Sequence, residues 1–312
     1  MRKRITIILG VLILATLTAA LAAGCQRGGG NGGGGAKIGL SISTLDNPFF
    51  VSMRSGAQQA AKDQGVQLLV ADAQNDSATQ QDDVQNFVTQ QVDAILVNPV
   101  DPKAIVPAIQ AANQANIPVL CLDRGASGGE VETLIASDNV KGGMIAGEEM
   151  LELVGSGNIA QLEGIPGTDP ARDRGQGFEQ AISAQDDVEL VASQTANFDR
   201  AEGLNVTENI LQANPDITGI FAQNDEMALG AVRALRGRAG SDVKVVGFDG
   251  IEDALKAIQS GKMNATVAQQ PDKIGSLGVE NAMKVIDDRS VAKNIPVEVK
   301  LVTKDNVSQF LQ

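Results

Sequence analysis

The chain has 312 residues, of which 43 % are hydrophobic, so it is long enough to form two domains with substantial cores. Its 25 basic and 38 acidic residues give a formal net charge of -13, which disfavours nucleic acid as a partner. The absence of histidine and the presence of only two cysteines remove the commonest general base and any cysteine-rich metal site, so we expect no metal, no cofactor and no catalytic residue.

Residues 1–24 have the pattern of a lipoprotein signal peptide. Three basic residues, Arg2, Lys3 and Arg4, precede an uncharged apolar run from Ile5 to Ala23. Small residues then lead to Cys25, the predicted lipidation site. The alternative is an uncleaved transmembrane helix, because the run is just long enough to span a bilayer. Both readings place the rest of the chain outside the cytoplasmic membrane, either lipid-anchored to its outer face or periplasmic.

Residues 25–36 are predicted to be the lipidated cysteine followed by a flexible glycine-rich tether. The glycine run from Gly28 to Gly35 follows no strand and opens no helix, which argues against a phosphate-binding loop. The other cysteine, Cys121, lies inside the apolar run Val119 to Leu122, and we expect it to be an inert core residue.

From Lys37 onward, short β-type runs alternate with helical patterns, which is typical of parallel sheets in an α/β fold. The predicted strands form two series and therefore suggest two lobes. The first series is Ile38–Ser43, Gln67–Ala71, Ala94–Val97, Val119–Leu122 and Thr133–Ala136, and the second is Ile159–Leu162, Leu190–Gln194, Gly219–Ala222, Lys244–Phe248 and Ala265–Ala268.

Polar side chains follow many of these strands. Ligands bind outside the carboxyl ends of the strands in open α/β sheets, so these residues would share one rim in each lobe and face each other across a cleft. They are Asn98, Asp123, Arg124, Gln223, Asn224, Asp249 and Gln269. Three further polar residues, Asp138, Asn139 and Asp225, precede helical patterns and are expected to cap those helices instead.

The first predicted strand leads into the turn Ser43 to Phe50. It brings Phe49 and Phe50 together beside the Asn47 amide, in a chain with only eight phenylalanines and no tryptophan or tyrosine. Aromatic faces beside a hydrogen-bonding group suit a ligand with apolar faces and polar edges. The alternative is that both rings fasten the following helix to the core.

These motifs together resemble the bacterial D-ribose-binding proteins, which are substrate-binding subunits of ABC importers in the periplasmic binding protein type I superfamily. The resemblance runs from Lys37 to about Asn306 and rests on Ser43–Phe50, Asp123–Arg124, Ala136–Val140, Ala171–Gly175, Phe198–Arg200, Phe221–Gly230 and Val246–Gly250. It implies an α/β fold of two Rossmann-like lobes joined by a three-segment hinge near residues 138, 269 and 298. The lobes would comprise residues 37–137 plus 270–298 and residues 138–269 plus 299–312, with the last helix, Pro271 to Asp287, in the first lobe.

The resemblance also implies a set of sugar contacts, one at each matching motif. The first lobe would contribute Asn47, Phe49, Phe50, Asn98, Asp123 and Arg124, and the second Arg174, Phe198, Asn224, Asp249 and Gln269. Carboxylates, guanidinium groups and amides can bond sugar hydroxyls, while the phenylalanines enclose the ring. Closure of the lobes around the sugar would be the signal for transport.

The expected partners are D-ribose or a similar small sugar, the ABC permease with its ATPase subunits, the membrane through the lipid anchor, and a chemoreceptor as a further reader of the closed form. We expect a monomer. Another small sugar or polyol-like signal, such as allose or a furanone autoinducer, is the alternative ligand.

Two other classes of protein are weighed against this reading. A sugar-sensing repressor shares the two-lobed core, but it needs a DNA-binding segment where this chain has a signal pattern. A sugar-processing enzyme would use Asp123 and Asp249 as an acid and base pair. We expect the neighbouring arginines to keep both acids ionised, which disfavours that chemistry.

Overall fold

The structure is a computed structural model that describes residues 35–311; the predicted signal peptide, Cys25 and most of the tether lie outside the described residues. The strands, in chain order, are β1 (Lys37–Ile42), β2 (Gln67–Asp72), β3 (Ala94–Val97), β4 (Val119–Leu122), β5 (Leu134–Ser137), β6 (Gly157–Glu163), β7 (Val188–Thr195), β8 (Ile217–Ala222), β9 (Lys244–Asp249), β10 (Ala265–Ala268), β11 (Asn294–Val297) and β12 (Lys300–Thr303). The helices are α1 (Pro48–Gln64), α2 (Ser77–Thr89), α3 (Val106–Gln114), α4 (Asn139–Val154), α5 (Asp169–Ile182), α6 (Arg200–Ala213), α7 (Asp225–Leu235), α8 (Glu252–Gln259) and α9 (Pro271–Ile286).

The strands form two six-stranded sheets. The first has the order β11-β5-β4-β3-β1-β2 and is parallel throughout. The second has the order β12-β10-β9-β8-β6-β7 and is parallel except for β12, which pairs with β10 in the antiparallel direction. Each sheet and its helices are called here the first and the second lobe. The predicted fold class, two Rossmann-like α/β lobes with a three-segment hinge, is confirmed.

The chain passes between the lobes at three places. It leaves β5 of the first sheet for α4, which packs on β9 of the second sheet. It leaves β10 of the second sheet for α9, which packs on α1 of the first lobe. Finally, β11 and β12 belong to different sheets, although only Glu298 and Val299 separate them. The residue boundaries of the lobes stay a prediction.

The central strands are buried on both faces, which explains why they appear in the sequence as continuous apolar runs. In the first lobe, Leu96 and Leu120 pack against the α1 and α9 side of the sheet. On the other face, Ile95 and Cys121 pack towards α2 and α3. Cys121 is a buried free thiol, as predicted.

Strands β11 and β12 were not predicted. The first contains Pro296, which cannot donate a hydrogen bond to the sheet and therefore weakens the sequence pattern of a strand. Both strands lie at sheet edges, where a short strand containing proline is tolerated.

Local sequence fixes the two helices that approach the cleft. Asn47 caps α1, because its side chain accepts a hydrogen bond of 2.9 Å from the Phe49 amide.

Helix α5 lies directly on α4, where Cβ atoms at Gly143 and Gly147 would collide with Arg174 and Ala181. The small residues of α4 therefore permit close helix packing, and this packing holds the backbone of Arg174.

Within residues 35–311, no helix combines the length and the apolar character needed to cross a membrane.

Candidate functional site

The carboxyl ends of the strands in the two sheets face one another across a cleft with about 280 Å³ of empty space. Ten of the eleven predicted contact residues line it, together with Pro170. The lining residues are Asn47, Phe49, Phe50, Asp123, Arg124, Pro170, Arg174, Phe198, Asn224, Asp249 and Gln269.

Three phenylalanine rings supply the apolar part of the wall. Phe49 and Phe50 meet edge to face, with ring centroids 5.1 Å apart and planes at 85°. Phe198 comes from the second lobe, yet its ring centroid lies 5.7 Å from the Arg124 guanidinium carbon and 5.8 Å from that of Arg174. The rings therefore border the charged groups of both lobes.

In the first lobe, the neighbouring residues Asp123 and Arg124 present their side chains to the cleft. Arg124 Nε and Asp123 Oδ2 are 3.7 Å apart, which is an ion pair without a hydrogen bond. Arg124 donates one hydrogen bond of 3.3 Å to the Pro99 carbonyl. Asp123 Oδ1 and Arg124 Nε are buried and have no hydrogen-bond partner within the described protein.

In the second lobe, Arg174 is held more firmly. Its Nε donates to Asn139 Oδ1 at 2.8 Å, and another nitrogen donates to the Gln223 carbonyl at 2.7 Å. Its guanidinium carbon also lies 3.9 Å from the centroid of the Phe248 ring. These contacts fix the guanidinium 3.8 Å from Asp249 Oδ1.

Asp249 and Gln269 form the opposite side of the second lobe's wall. Gln269 Nε2 donates a hydrogen bond of 2.6 Å to Asp249 Oδ1, whereas Gln269 Oε1 has no partner within the described protein. Asn224 caps α7 by accepting from the Met227 amide at 2.9 Å, and its Nδ2 donates to the Phe198 carbonyl at 3.1 Å. Asn224 thereby fixes the Phe198 backbone.

Three wall residues that are not glycine have a positive φ: Asp123 at 63°, Phe198 at 61° and Asp249 at 131°. Such conformations are strained for residues with a side chain, and they cluster at functional sites because the surrounding structure holds them in place. Of the ten residues other than glycine that have a positive φ in the described chain, three therefore lie in this one wall.

Burial raises the pKa of Asp123 and Asp249 above the ordinary value for aspartate, and the positive charges of the two arginines only partly oppose this shift. Burial likewise lowers the pKa of Arg124 and Arg174. The arginines therefore oppose the effect of burial on the two pKa values without outweighing it, and their keeping both acids ionised stays a prediction.

Asn98 differs from the other predicted contacts because it does not line the cleft. Its side chain is fully buried and accepts a hydrogen bond from the Ser43 amide at 3.2 Å. Its Nδ2 donates to the Leu122 carbonyl at 3.0 Å and to Asp123 Oδ2 at 3.4 Å. Asn98 thus lies behind Asp123 and supports its carboxylate.

Of the three predicted helix caps, only Asp138 is one, accepting from the Lys141 amide. Asn139 instead holds Arg174, and the cap of α7 is Asn224 rather than Asp225. The prediction was wrong for Asn139 and Asp225 because their side chains bond buried groups from other elements.

Pro170 is a wall residue that was not predicted as a contact. It lies four residues before Arg174, which places it one turn away on α5.

Comparison with known proteins gives a consistent picture. Residues 38–290 match the model of the periplasmic binding protein domain. The chain is 49 % identical over 292 residues to the ribose import binding protein RbsB of Escherichia coli, which covers 93 % of this chain and 98 % of that protein. It is 48 % identical over 268 residues to the ribose import binding protein RbsB of Bacillus subtilis, which covers 86 % and 87 % respectively.

A solved structure is also similar. It is an ABC transporter periplasmic solute binding protein from Actinobacillus succinogenes with bound D-allose, which is 38 % identical to this chain. The two structures superpose with a TM-score of 0.83, covering 88 % of this chain and 99 % of the other.

Proposed function

The chain belongs to the periplasmic binding protein family, and from that premise we propose that it is the extracytoplasmic substrate-binding subunit of an ABC sugar importer that binds D-ribose in the cleft between its lobes. The high identity with two ribose import binding proteins supports the choice of sugar.

The unpaired polar atoms of the cleft carry this proposal. Asp123 Oδ1, Arg124 Nε and Gln269 Oε1 are buried without a hydrogen-bond partner in the described protein. A buried polar group without a partner is costly, so a ligand that pairs with all three is bound favourably. Two of these atoms are acceptors and one is a donor, which matches a ligand rich in hydroxyl groups.

The charge of the wall supports a neutral ligand. Two aspartates, Asp123 and Asp249, stand beside two arginines, Arg124 and Arg174, so these four side chains carry no net charge when all are ionised. A charged ligand would leave one charge uncompensated in a buried site, at a cost of several kcal/mol. A sugar adds no charge, and its C–H faces can lie against the three phenylalanine rings.

The division of contacts supports transport by lobe closure. Asp123 and Arg124 belong to the first lobe and Arg174 and Asp249 to the second, so one ligand bonds groups of both. A ligand that makes these contacts only when the lobes are together favours the closed arrangement. We propose that the permease recognises this arrangement by touching both lobes, and a variant locked open is expected to abolish uptake.

D-Allose is the second candidate ligand, because the similar structure from Actinobacillus succinogenes holds it. Its pyranose ring carries the hydroxyl pattern of D-ribopyranose with one added hydroxymethyl group. Discrimination between the two sugars therefore depends on the space around this added group rather than on the shared ring hydroxyls.

We propose no catalytic role. This conclusion rests on membership of a family of substrate-binding proteins. It does not rest on the charge of Asp123 and Asp249, because burial raises the pKa of both. Incubating the protein with ribosides and measuring released sugar tests it, since turnover above the buffer rate would contradict a pure binding role.

The sequence pattern of residues 1–36 supports a lipid anchor on Cys25 and residence on the outer face of the cell membrane. Mass spectrometry of the mature protein should then find a chain that begins at a lipid-modified Cys25. An unmodified Cys25, or a chain that still carries residues 1–24, would contradict the anchor. We further propose a monomer, with the permease, its ATPase subunits and a chemoreceptor as partners of the closed form.

Isothermal titration calorimetry tests the ligand directly, because the chain has no tryptophan or tyrosine for fluorescence. The titrants are D-ribose, its C3 epimer D-xylose, and D-allose. We expect one-to-one binding of D-ribose and much weaker binding of D-xylose, whose inverted hydroxyl leaves a buried group unpaired. Tighter binding of D-allose would identify the second candidate, and no binding of any of the three by folded protein would contradict the proposal.

A further inference from the structure

We propose that Asp225, which does not line the cleft, is a positioning residue that holds the turn presenting the Asp249 carboxylate to the ligand. The inference deepens the proposed function, since it takes Asp249 to be a ligand contact.

The turn at the end of β9 needs such support. Asp249 has a φ of 131°, which residues with a side chain rarely adopt, and the next residue, Gly250, has a φ of 81°. A strained conformation of this kind persists only where surrounding contacts determine it. Within the described protein, the Asp249 carboxylate accepts one side-chain hydrogen bond, from Gln269, and its other charged neighbour is Arg174 at 3.8 Å.

Asp225 supplies contacts that fix this turn. Its Oδ2 accepts hydrogen bonds from the amides of Gly250 at 2.7 Å and Ile251 at 2.9 Å, the two residues that follow Asp249. Its Oδ1 accepts from the Thr266 hydroxyl at 2.7 Å, on the adjacent strand β10. All of these groups except Gly250 are buried, so the carboxylate ties the β9 turn to both α7 and β10.

The glycines of the Val246–Gly250 motif fit around this carboxylate. A Cβ atom at Gly247 would overlap Asp225 Oδ1, so the absence of a side chain there makes room for the aspartate against β9. Gly250 adopts the positive φ and donates one of the hydrogen bonds. Both glycines flanking Phe248 and Asp249 therefore have a role that depends on Asp225.

Capping does not account for Asp225. The cap of α7 is Asn224, whose side chain accepts from the Met227 amide. The Asp225 carboxylate points away from the helix backbone to β9 and β10. The three contacts of Asp225 require two acceptor oxygens in a fixed place. An asparagine at this position would keep one acceptor oxygen, and its amide nitrogen could donate to the Thr266 hydroxyl.

The experiment compares Asp225→Ala and Asp225→Asn in the full chain, with D-ribose titrations by calorimetry and crystal structures of both variants. For Asp225→Ala we expect Kd to rise about tenfold, with Asp249 displaced, because three donors, two of them buried, lose their acceptor. For Asp225→Asn we expect a Kd within about threefold of the wild type, because most of the hydrogen bonds can be kept.

Two control variants separate positioning from general loss of stability. Asp76→Ala removes the exposed carboxylate that caps α2 in the first lobe, where it accepts from the Thr79 amide. Ile258→Ala opens a cavity in the core of the second lobe, where Ile258 is fully buried. Both lower stability, but neither residue hydrogen-bonds to Asp249, Gly250 or Ile251, so Kd of the folded protein should not change.

An unchanged Kd in Asp225→Ala with Asp249 in its wild-type position would overturn the proposal. So would an asparagine variant as weak as the alanine variant, because charge rather than geometry would then be required. If Asp225→Ala fails to fold, Thr266→Val replaces it, and a wild-type Kd there contradicts the proposal. If the wild type binds no sugar, the proposed function is contradicted. The position of Asp249 in the crystal structures of Asp225→Ala and Asp225→Asn then decides the positioning role by itself.

Discussion

The Gly125 amide donates a hydrogen bond of 2.9 Å to Asp169 Oδ2, and this bond joins the two lobes beside the cleft. Gly125 directly follows Arg124, and a Cβ atom there would lie only 2.6 Å from the Asp169 oxygen, so the close approach depends on glycine. Asp169 opens α5, the helix that also carries Pro170 and Arg174. The bond therefore stabilises the same arrangement of the lobes that a shared ligand stabilises.

Asp169→Ala should weaken sugar binding by roughly 3-fold to 10-fold, because a hydrogen bond to a charged acceptor contributes about 1 kcal/mol or more. Calorimetric titration with D-ribose measures the change. Asp173→Ala is the matched control, since Asp173 lies on the same helix and, like Asp169, pairs with Arg172 at 2.8 Å. An equal loss in both variants would assign the effect to Arg172 instead of the bond between the lobes.

Asp249→Ala should cost roughly 1.5 to 3 kcal/mol of binding free energy, which is about 10-fold to 150-fold in Kd. The variant removes an acceptor of sugar hydroxyls and the ionic partner of Arg174. Asp253→Ala serves as the control, because Asp253 is an exposed acid of the same lobe whose partner is Arg200. Wild-type affinity in Asp249→Ala would remove this residue from the ligand contacts.

The folded protein should lose stability through Asp225 as the pH rises from about 4 to about 7. Burial raises the pKa of Asp225 to about 7, whereas its ordinary value is 3.8. In this window the folded state binds more protons than the unfolded state, so the free energy of unfolding falls as pH rises, by at most about 1.4 kcal/mol per pH unit for one group.

Urea unfolding of the wild type and of Asp225→Asn at several pH values measures this contribution. The variant cannot titrate at residue 225, so its stability should fall less steeply over the window. The raised pKa of Asp123 does not depend on Asp225, so it acts in both proteins and cancels in the comparison. The pKa of Asp249 should fall in the variant, because the Asp225 charge is one cause of its rise, and this change also makes the stability of the variant fall less steeply. Identical pH dependence would show that Asp225 has an ordinary pKa in the folded state.

Cys121 should resist alkylation in the folded protein. Burial raises the pKa of its thiol to about 12, with the Asp169 charge adding to the shift, so almost no thiolate exists near neutral pH. Peptide mass spectrometry after iodoacetamide treatment should find Cys121 unmodified in buffer and modified in urea. Rapid modification in buffer would mean that the first lobe opens locally around β4.

The sequence predicted most of the fold because the central strands are buried on both faces. Such strands appear as short apolar runs between helical patterns, and β1, β3 and β4 lie within a residue of their predicted positions. The edge strands β11 and β12 lacked this pattern. Their place in the sheets follows from long-range pairing with β5 and β10, which no local pattern encodes.

The wall of the site was predictable for a related reason. Polar residues that end parallel strands must gather at one rim, and the family resemblance supplied Arg174 and Phe198. The supporting contacts were not predictable in the same way. Asn139 and Gln223 hold Arg174 from positions 35 and 49 residues away. Side-chain packing also decides which polar residues lie at the wall. Asp123 lies there, whereas Asn98 lies behind it.

The exchange of β11 and β12 between the sheets has a consequence for biosynthesis. Each sheet takes an edge strand from the segment Asn294–Thr303, so a ribosome must pass residue 297 before the first sheet, and residue 303 before the second, has all its strands. Contacts between strands as distant in sequence as β5 and β11 form slowly, because the loop must close before they can stabilise it. Neither sheet of the nascent chain can therefore be completed until nearly all of the chain has been synthesised.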